Sequence, residues 1–172
     1  MEHPTLILAS RSPRRHLLLE QIGLRFEVVD IDLDEARRPD EAPASYVLRL
    51  ALEKARAGRA RFGSLPCPPV LAADTAVVVG DRILGKPRDR ADAAAMLRLL
   101  AGRTHRVLSG VALVGEDEGR ALSVSEVRFR AVSAREGTPT GRAASPVTRP
   151  AATPSRAWAP YSWRICGVVT RA

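Results

Sequence analysis

The stretch TLILASRSPRR, residues 5–15, contains an apolar run followed directly by the start of a helix. The run over residues 5–9 is short, is bounded by Ser10, and predicts a buried strand. Ser12 followed by Pro13 is typical of a helix start, with a serine N-cap and a proline in the first turn. A strand that leads straight into a helix predicts an α/β unit.

The pattern of strands and helices continues outward from this unit to about residue 130. Helices are predicted over about 13–22, 43–62 and 90–101, and strands over about 5–9, 26–29, 70–73, 77–79, 82–84, 104–115 and 120–130. We expect Leu17, Leu18 and Ile22 to form the buried face of the first helix. We also expect the strand that begins at Val70 to turn at Asp74 and a hairpin to form through Gly80 and Asp81. Asp89 is expected to cap the third helix. The expected apolar face of the second helix consists of Ala44, Val47, Leu48, Ala51 and Ala55. The alternation of strands and helices predicts one α/β domain.

The composition of the chain changes abruptly near residue 131. The net charge is +8, and 25 of the 27 basic residues are arginines. Residues 131–172 contain six arginines against one acid, Glu136, and are rich in alanine, proline, serine and threonine. Such a composition is typical of a disordered segment. We therefore expect residues 1–130 to form the domain and residues 131–172 to form a disordered tail.

Composition also excludes several classes of protein. No run approaches the roughly 18 apolar residues of a membrane span, and the N-terminal residues do not resemble a signal peptide. Cys67 and Cys166 are too few for a disulfide scaffold. Aromatic residues make up 4% of the chain, whereas a nucleic-acid-binding face combines basic and aromatic side chains. We therefore expect a cytoplasmic protein that binds neither membranes nor nucleic acid.

The helix start at Ser12 is a candidate anion site. The N–H groups of a first helical turn lack partners and lie at the positive end of the helix dipole. Arg14 and Arg15 add guanidinium groups, which suit a phosphate. The alternative is an ordinary capped helix with solvent-exposed arginines, and the local pattern leaves both interpretations open.

The other candidate site residues are two lysines and two groups of acidic residues. Asp74 and Thr75 follow an apolar strand, where a carboxylate can hold a divalent metal or activate water against phosphorus, although an Asx turn explains this aspartate equally well. Lys54 and Lys86 are the only lysines, and a compact ammonium group suits a phosphate oxygen. Lys54 can also simply extend from an apolar helix face to solvent. The acidic run over 30–35 offers further metal ligands or forms a solvated loop.

Together these features resemble the Maf family of nucleoside triphosphate pyrophosphatases. The matching segments are residues 8–15, 46–51 with 54–55, 73–75, 83–87, and 99–105 leading into 109–111. The resemblance implies a mixed twisted sheet with flanking helices, as in ITPase-like folds, and a central cleft between two lobes. It also implies hydrolysis of dTTP or UTP at the α–β phosphoanhydride bond, with a divalent cation (Mg²⁺ or Mn²⁺), by a protein that forms a homodimer.

The resemblance also implies roles for individual residues. Asp74 would be the catalytic base or the carboxylate that organises the metal, and Glu35 would be an acidic partner near the metal. The residues that would bind the substrate are Ser12, Arg14, Lys54, Thr75 and Lys86. An arginine after the proline and a threonine after the aspartate resemble the dTTP/UTP-cleaving branch. The branch that acts on 7-methyl-GTP tends to have tryptophan after that proline.

The C-terminal segment departs from the family pattern. The family continues with a Gly-Glu-Pro segment and a Tyr-x-Ile-Gln-Gly segment, whereas this chain has RPAATPSR at residues 149–156. Permitted codons for residues 152–162, read one nucleotide earlier, encode Gly-Tyr-Ala-Ile-Gln-Gly-Leu-Gly-Ala-Val-Phe. Those for residues 144–151 likewise encode Gly-Glu-Pro-Arg-Asp-Lys-Ala-Gly. We therefore expect a frameshift between about residues 136 and 140, which sequencing of the locus tests, with the C-terminal part of the family fold missing or replaced.

This departure affects the expected activity. Without the family's closing strands, we expect the chain as it stands to be poorly stable and to catalyse weakly or not at all. The alternative to an enzyme is a nucleotide-binding or regulatory module that keeps the phosphate site without turnover. A nucleic-acid-binding protein that uses the arginine-rich tail would instead show affinity that falls steeply with salt.

Overall fold

The computed structural model describes residues 4–63 and 68–131. These residues form, in chain order, β1 (Leu6–Leu8), α1 (Pro13–Gln21), β2 (Phe26–Val28), α2 (Pro43–Ala60), β3 (Val70–Val79), β4 (Arg82–Leu84), α3 (Arg90–Leu100), β5 (Thr104–Val114) and β6 (Glu118–Arg128). None of the helices within these residues is long and apolar enough to cross a membrane. The predicted tail and frameshift fall beyond residue 131 and lie outside the described residues.

The six strands form one mixed sheet in the order β2-β1-β3-β5-β6, with β4 paired to β3. β1 is parallel to both β2 and β3. β5 is antiparallel to both β3 and β6. The predicted α/β class, with a mixed sheet and flanking helices, is therefore confirmed.

Helix α2 packs its apolar stripe against one face of the sheet. The buried residues of this stripe are Val47, Leu50, Ala51, Ala55 and Gly58. Ala51 and Ala55 belong to the same buried cluster as Ala72 of β3 and Ala112 of β5, so that small side chains lie on both sides of the contact. The helix can therefore lie close to the central strands. Full burial of a side chain as large as Leu50 stabilises the fold by about 1.5–3 kcal/mol.

Helix α1 lies on the opposite face, over the edge of the sheet formed by β1 and β2. Its buried residue is Leu19, which packs in one cluster with Leu8. The predicted buried face of this helix is wrong, because Leu17, Leu18 and Ile22 are 56%, 59% and 66% exposed. Strands of three residues cover too little of the helix to bury more than one of its leucines.

Strand β3 runs without a break from Val70 to Val79, so the predicted turn at Asp74 is wrong. β5 pairs with β3 throughout this region, with Asp74 opposite Gly110 and Thr75 opposite Ser109. The polar side chains interrupt the apolar pattern but not the backbone hydrogen bonds, which residues of either kind supply. Asp74 therefore lies inside a central strand rather than at the end of one.

Two other local predictions are confirmed. β3 and β4 form an antiparallel hairpin across Gly80 and Asp81, and Gly80 adopts a positive φ of 58°, which glycine tolerates best. Asp89 caps α3, since its Oδ1 accepts a hydrogen bond from the N–H of Asp92 at 2.7 Å.

Candidate active site

Lys54 joins two carboxylates that are distant in sequence. Its Nζ donates hydrogen bonds to Oδ1 of Asp74 at 2.8 Å and to Oε1 of Glu35 at 2.6 Å. Nζ of Lys86 lies 3.6 Å from Oε2 of Glu35. These four residues, called the Lys54 cluster below, come from the loop before α2, from α2, from β3 and from the loop after β4. The structure thus brings four of the predicted site residues together.

Gly110 allows α2 to lie close enough for Lys54 to reach Asp74. A Cβ atom at Gly110 would lie 2.6 Å from the carbonyl oxygen of Val47, which is too close for any side chain. Gly110 is the residue of β5 opposite Asp74, and Val47 lies about two helical turns before Lys54. The contact at Gly110 therefore sets the distance between the helix and the carboxylate.

The charges of the Lys54 cluster stabilise one another in a partly buried position. The side chains of Lys54 and Asp74 are 13% and 14% exposed. Burial alone would lower the pKa of Lys54, but its hydrogen bonds to Asp74 and Glu35 outweigh this effect and raise that pKa. The pKa of Glu35 is lowered, first by the hydrogen bond from Lys54 and also by the charge of Lys86. The lysine and the glutamate are therefore both charged at neutral pH.

The start of α1 turns Arg15, rather than Arg14, toward this cluster. Burial lowers the pKa of Arg15, and the negative charges of Asp74 and Glu35 oppose that shift. Arg14 is exposed and has no hydrogen bond or ion pair within the described part of the chain. Sequence reasoning gave no separate role to Arg15. The available signal was its spacing from Leu19, since residues four apart share a helix face.

Ser10 shapes the helix start more than Ser12 does. Ser12 occupies the N-cap position of α1, but its side chain makes no capping hydrogen bond. Its own N–H donates to Oγ of Ser10 at 3.2 Å, and the same Oγ accepts a hydrogen bond from Nη1 of Arg15 at 3.1 Å. Ser10 is buried and lies two residues after the end of β1. The predicted helix start is thus present, with a different serine orienting it.

Thr75 does not join the Lys54 cluster. Successive side chains of a strand point to opposite faces of the sheet, so Thr75 lies on the face away from Asp74 and α2. Its Oγ1 lies 3.3 Å from Oγ of Ser109. Thr75, Ser12 and Arg14 are thus the predicted site residues that form no hydrogen bond or ion pair with the cluster within residues 4–63 and 68–131.

A second set of contacts holds the loop that carries Glu35. Oη of Tyr46 donates a hydrogen bond to the carbonyl oxygen of Glu35 at 2.9 Å. Arg49 donates to both carboxylate oxygens of Glu41, at 2.6 and 2.8 Å, and to the carbonyl oxygen of Ala36 at 3.1 Å. Sequence reasoning missed these anchors. Their three-residue spacing on α2, which places Tyr46 and Arg49 on one side of the helix, was the only local signal.

Glu41→Gln should destabilise the protein at neutral pH by about 2 kcal/mol, because it removes the carboxylate that accepts two hydrogen bonds from the largely buried guanidinium of Arg49 and leaves Glu53 as its remaining charged partner. The hydrogen bond from Arg49 lowers the pKa of Glu41 from 4.5 to about 2. A carboxylate whose pKa is lowered by folding stabilises the protein above its unfolded pKa, and this contribution is lost as the pH falls. The stability difference between the variant and the original protein should therefore shrink as the pH falls from 4.5 toward 2. Urea denaturation at several pH values measures it, and equal stabilities at neutral pH would contradict the prediction.

Glu35 and Asp74 offer oxygen ligands for a divalent cation. Within the described residues, no three histidine, cysteine, aspartate or glutamate side chains gather into a metal site. Mg²⁺ at nucleotide sites is bound by one or two carboxylates, with substrate phosphates and waters as the other ligands. Two carboxylates in a cationic cluster fit this pattern when a nucleotide supplies the remaining ligands.

The fold and the Lys54 cluster define an α/β protein with a charged site suited to phosphate-bearing molecules. The model of the Maf-like protein family matches residues 5–146. The chain therefore belongs to the Maf-like family, as the motifs of its first 130 residues predict.

Two relatives of known name agree with this assignment. A dTTP/UTP pyrophosphatase of Xanthomonas campestris is 49% identical over 148 residues, which cover 80% of this chain and 78% of the relative. A dTTP/UTP pyrophosphatase of Burkholderia pseudomallei is 51% identical over 145 residues, which cover 78% of this chain and 69% of the relative.

Among solved structures, a nucleoside-triphosphatase (dITP/XTP pyrophosphatase) of Mycobacterium abscessus gives a TM-score of 0.43 at 23% identity. The match covers 72% of this chain and 73% of that structure.

Proposed function

We propose that this chain is a nucleoside triphosphate pyrophosphatase that converts dTTP and UTP to the nucleoside monophosphate and pyrophosphate. The observation that carries the proposal is the Lys54 cluster, which places a carboxylate among cations. The relatives that are 49% and 51% identical carry the name dTTP/UTP pyrophosphatase. Cations recognise a triphosphate, and a carboxylate can activate water. A site that combines both is equipped to hydrolyse a phosphoanhydride bond.

The triphosphate would bind to the cations around the cluster. The side chain of Lys86 is 92% exposed, so it can turn from Glu35 to a phosphate oxygen at little cost. Ser12 and Arg14 would supply a hydroxyl and a guanidinium group at the positive end of α1. Arg15, which is half-buried, would add a charge that is already fixed in position before the nucleotide arrives.

Asp74 would act as the general base. Its carboxylate takes a proton from a water, and the water oxygen bonds to the α-phosphorus as the bond to the α–β bridging oxygen breaks and pyrophosphate leaves. Lys54 holds Oδ1 of this carboxylate, so Oδ2 would be the oxygen that takes the proton. The positive charges of Lys54, Lys86 and Arg15 stabilise the charge that develops on the leaving group.

The reaction would use a divalent cation. Mg²⁺ or Mn²⁺ would be held by Glu35 together with the substrate phosphates, which leaves Asp74 to act as the base. Such an ion, when bound, neutralises phosphate charge and lowers the pKa of bound water. The enzyme would act in the cytoplasm as a homodimer, with a nucleotide rather than a membrane or nucleic acid as its partner.

The test of this function is pyrophosphate release from dTTP, UTP and 7-methyl-GTP in the presence of Mg²⁺. The chain as it stands is assayed beside a version whose gene is returned to the second reading frame after about residue 136. We expect the restored version to cleave dTTP and UTP in preference to 7-methyl-GTP, and the chain as it stands to be much slower. Failure of both versions to release pyrophosphate would overturn the proposal.

A further inference from the structure

Strand β6 presents a long unpaired edge. Within residues 4–63 and 68–131 it is hydrogen-bonded to β5 on one side and to no strand on the other. Its 11 residues pair one to one with β5, without a bulge, and include neither proline nor lysine. Bulges, prolines and charged side chains, above all lysines, commonly protect a sheet edge from pairing. β6 has four charged residues, so the strand that can pair along its whole length is one whose charges match them.

The side chains of β6 are arranged symmetrically about Ser123. Three pairs of residues flank Ser123 at equal distances on one face of the strand, namely Leu122 and Val124, Arg120 and Glu126, and Glu118 and Arg128. The inner pair is apolar, and each outer pair combines one positive and one negative residue. An antiparallel strand of the same sequence, centred on Ser123, is thus complementary to β6.

We infer that β6 is the surface at which two copies of this chain join, antiparallel and related by a two-fold axis at Ser123. In this register Arg120 of each copy lies opposite Glu126 of the other, and Glu118 lies opposite Arg128. Opposite charges directly across an antiparallel pair stabilise it, and the symmetry makes each contact occur twice. The two sheets then continue into one another.

Neighbouring registers are disfavoured by their charges. A slip that keeps the backbone hydrogen-bonding pattern moves one strand by two residues relative to the other. If the strand slips in one direction, Glu118 of one copy lies opposite Glu126 of the other. If it slips in the other direction, Arg120 of one copy lies opposite Arg128 of the other. Like charges directly opposite each other destabilise a strand pair, so the register centred on Ser123 is selected.

The apolar residues at the centre of β6 support the same interface. Leu122 and Val124 are 38% and 48% exposed. They lie on the face of the sheet that α2 covers, because Leu122 is opposite Gly110 of β5. Pairing would place the two Leu122–Val124 contacts at the centre and the ion pairs on either side. This is the usual arrangement of an apolar interface core with a polar rim.

The outer and inner ion pairs differ in their surroundings. Glu118 already accepts hydrogen bonds from Arg56 of its own chain at 2.7 and 2.6 Å. Arg128 of the second copy would therefore join a carboxylate that is already paired. Arg120 and Glu126 make no hydrogen bond or ion pair within the described residues, so the inner pair gains most and is the better target for a test.

Analytical ultracentrifugation of the full chain should give a mass of twice 18.6 kDa. Glu126→Arg places two arginines opposite each other at both inner positions and should raise the dimer dissociation constant at least about tenfold. The double variant Arg120→Glu with Glu126→Arg exchanges the charges and should restore the dimer. Asp81→Arg makes the same change of charge at the exposed turn between β3 and β4, and this matched control should leave the dimer intact.

Ser123→Cys tests the register without relying on charge. The two Cα atoms at the symmetry axis would be about 4.5–5.5 Å apart, which is within disulfide range. With Cys67 and Cys166 replaced by serine, this variant should form a covalent dimer on oxidation. Ser125→Cys is the control, because its two copies would lie about 14 Å apart and should not cross-link.

A chain that stays monomeric at every concentration would overturn the interface, since β6 would then be covered by another segment of its own chain or by solvent. A dimer that tolerates Glu126→Arg and does not cross-link through Ser123→Cys would also overturn it. Should Glu126→Arg fail to fold, the cross-linking experiment decides alone. None of these measurements uses nucleotide hydrolysis, so failure of the interface is distinguishable from failure of the proposed function.

Discussion

Asp74→Asn should slow pyrophosphate release from dTTP by about a thousandfold, within the range that general acid–base catalysis contributes. Asparagine keeps an oxygen that can accept the hydrogen bond from Lys54, but it cannot take a proton from water. The substitution also removes a negative charge from a site that binds an anion, so dTTP should bind at least as tightly as before. We therefore expect the rate to fall while binding is retained.

Asp81→Asn is the matched control for this experiment, because Asp81 lies at the exposed turn after the same strand. Both variants are made in the restored reading frame and in the chain as it stands. Pyrophosphate release gives the rate, and isothermal titration with dTTP gives the affinity. An unchanged rate in Asp74→Asn would reject Asp74 as the base. Binding of dTTP without hydrolysis in every version would favour a nucleotide-binding module without turnover.

Gly110→Ala should lower the free energy of unfolding by about 3 kcal/mol or more, at the upper end of the usual cost of overpacking. The new Cβ would lie 2.6 Å from the carbonyl oxygen and 2.7 Å from the carbonyl carbon of Val47. Both atoms belong to the helix backbone, which cannot turn away as a side chain can. Helix α2 must then move from the sheet, and Lys54 loses its reach to Asp74. The variant should therefore also hydrolyse nucleotide more slowly.

Gly119→Ala provides the matched control for stability, because a Cβ at Gly119 meets no atom within 4 Å. Its free energy of unfolding should change by no more than about 0.5 kcal/mol. Urea denaturation followed by circular dichroism, at equal protein concentration, compares the two variants. If both were as stable as the original protein, the close contact between α2 and β5 would not be what holds the helix.

Elements that depend on neighbouring residues could be predicted from the sequence. The apolar stripe of α2, the glycine turn between β3 and β4, and the Asp89 cap of α3 each rest on interactions within a few residues. The same is true of the helix start after Ser12. For α1, the failed prediction shows the limit of this reasoning, since apolar residues such as Leu17 are buried only where enough sheet exists to cover them.

The candidate site could be predicted in part. Local pattern marked Asp74 and Lys86 as candidates, and the family resemblance added Glu35 and a role for Lys54. The roles of these residues in catalysis remain predictions. Arg15 was missed in favour of Arg14, because the direction in which each side chain points depends on how α1 packs against the sheet. Tyr46 and Arg49 were missed because the loop that they hold is distant from them in sequence.

The sequence alone predicts where the helices start, which face of α2 is apolar, and which charged groups suit a phosphate. Only the tertiary structure decided that β3 continues through Asp74 and that one lysine bridges Asp74 and Glu35. The physical reason is that backbone pairing with β5 and the close approach at Gly110 involve atoms from distant parts of the chain. The energies of these contacts depend on how distant segments pack in three dimensions, and a short stretch of sequence does not determine that packing.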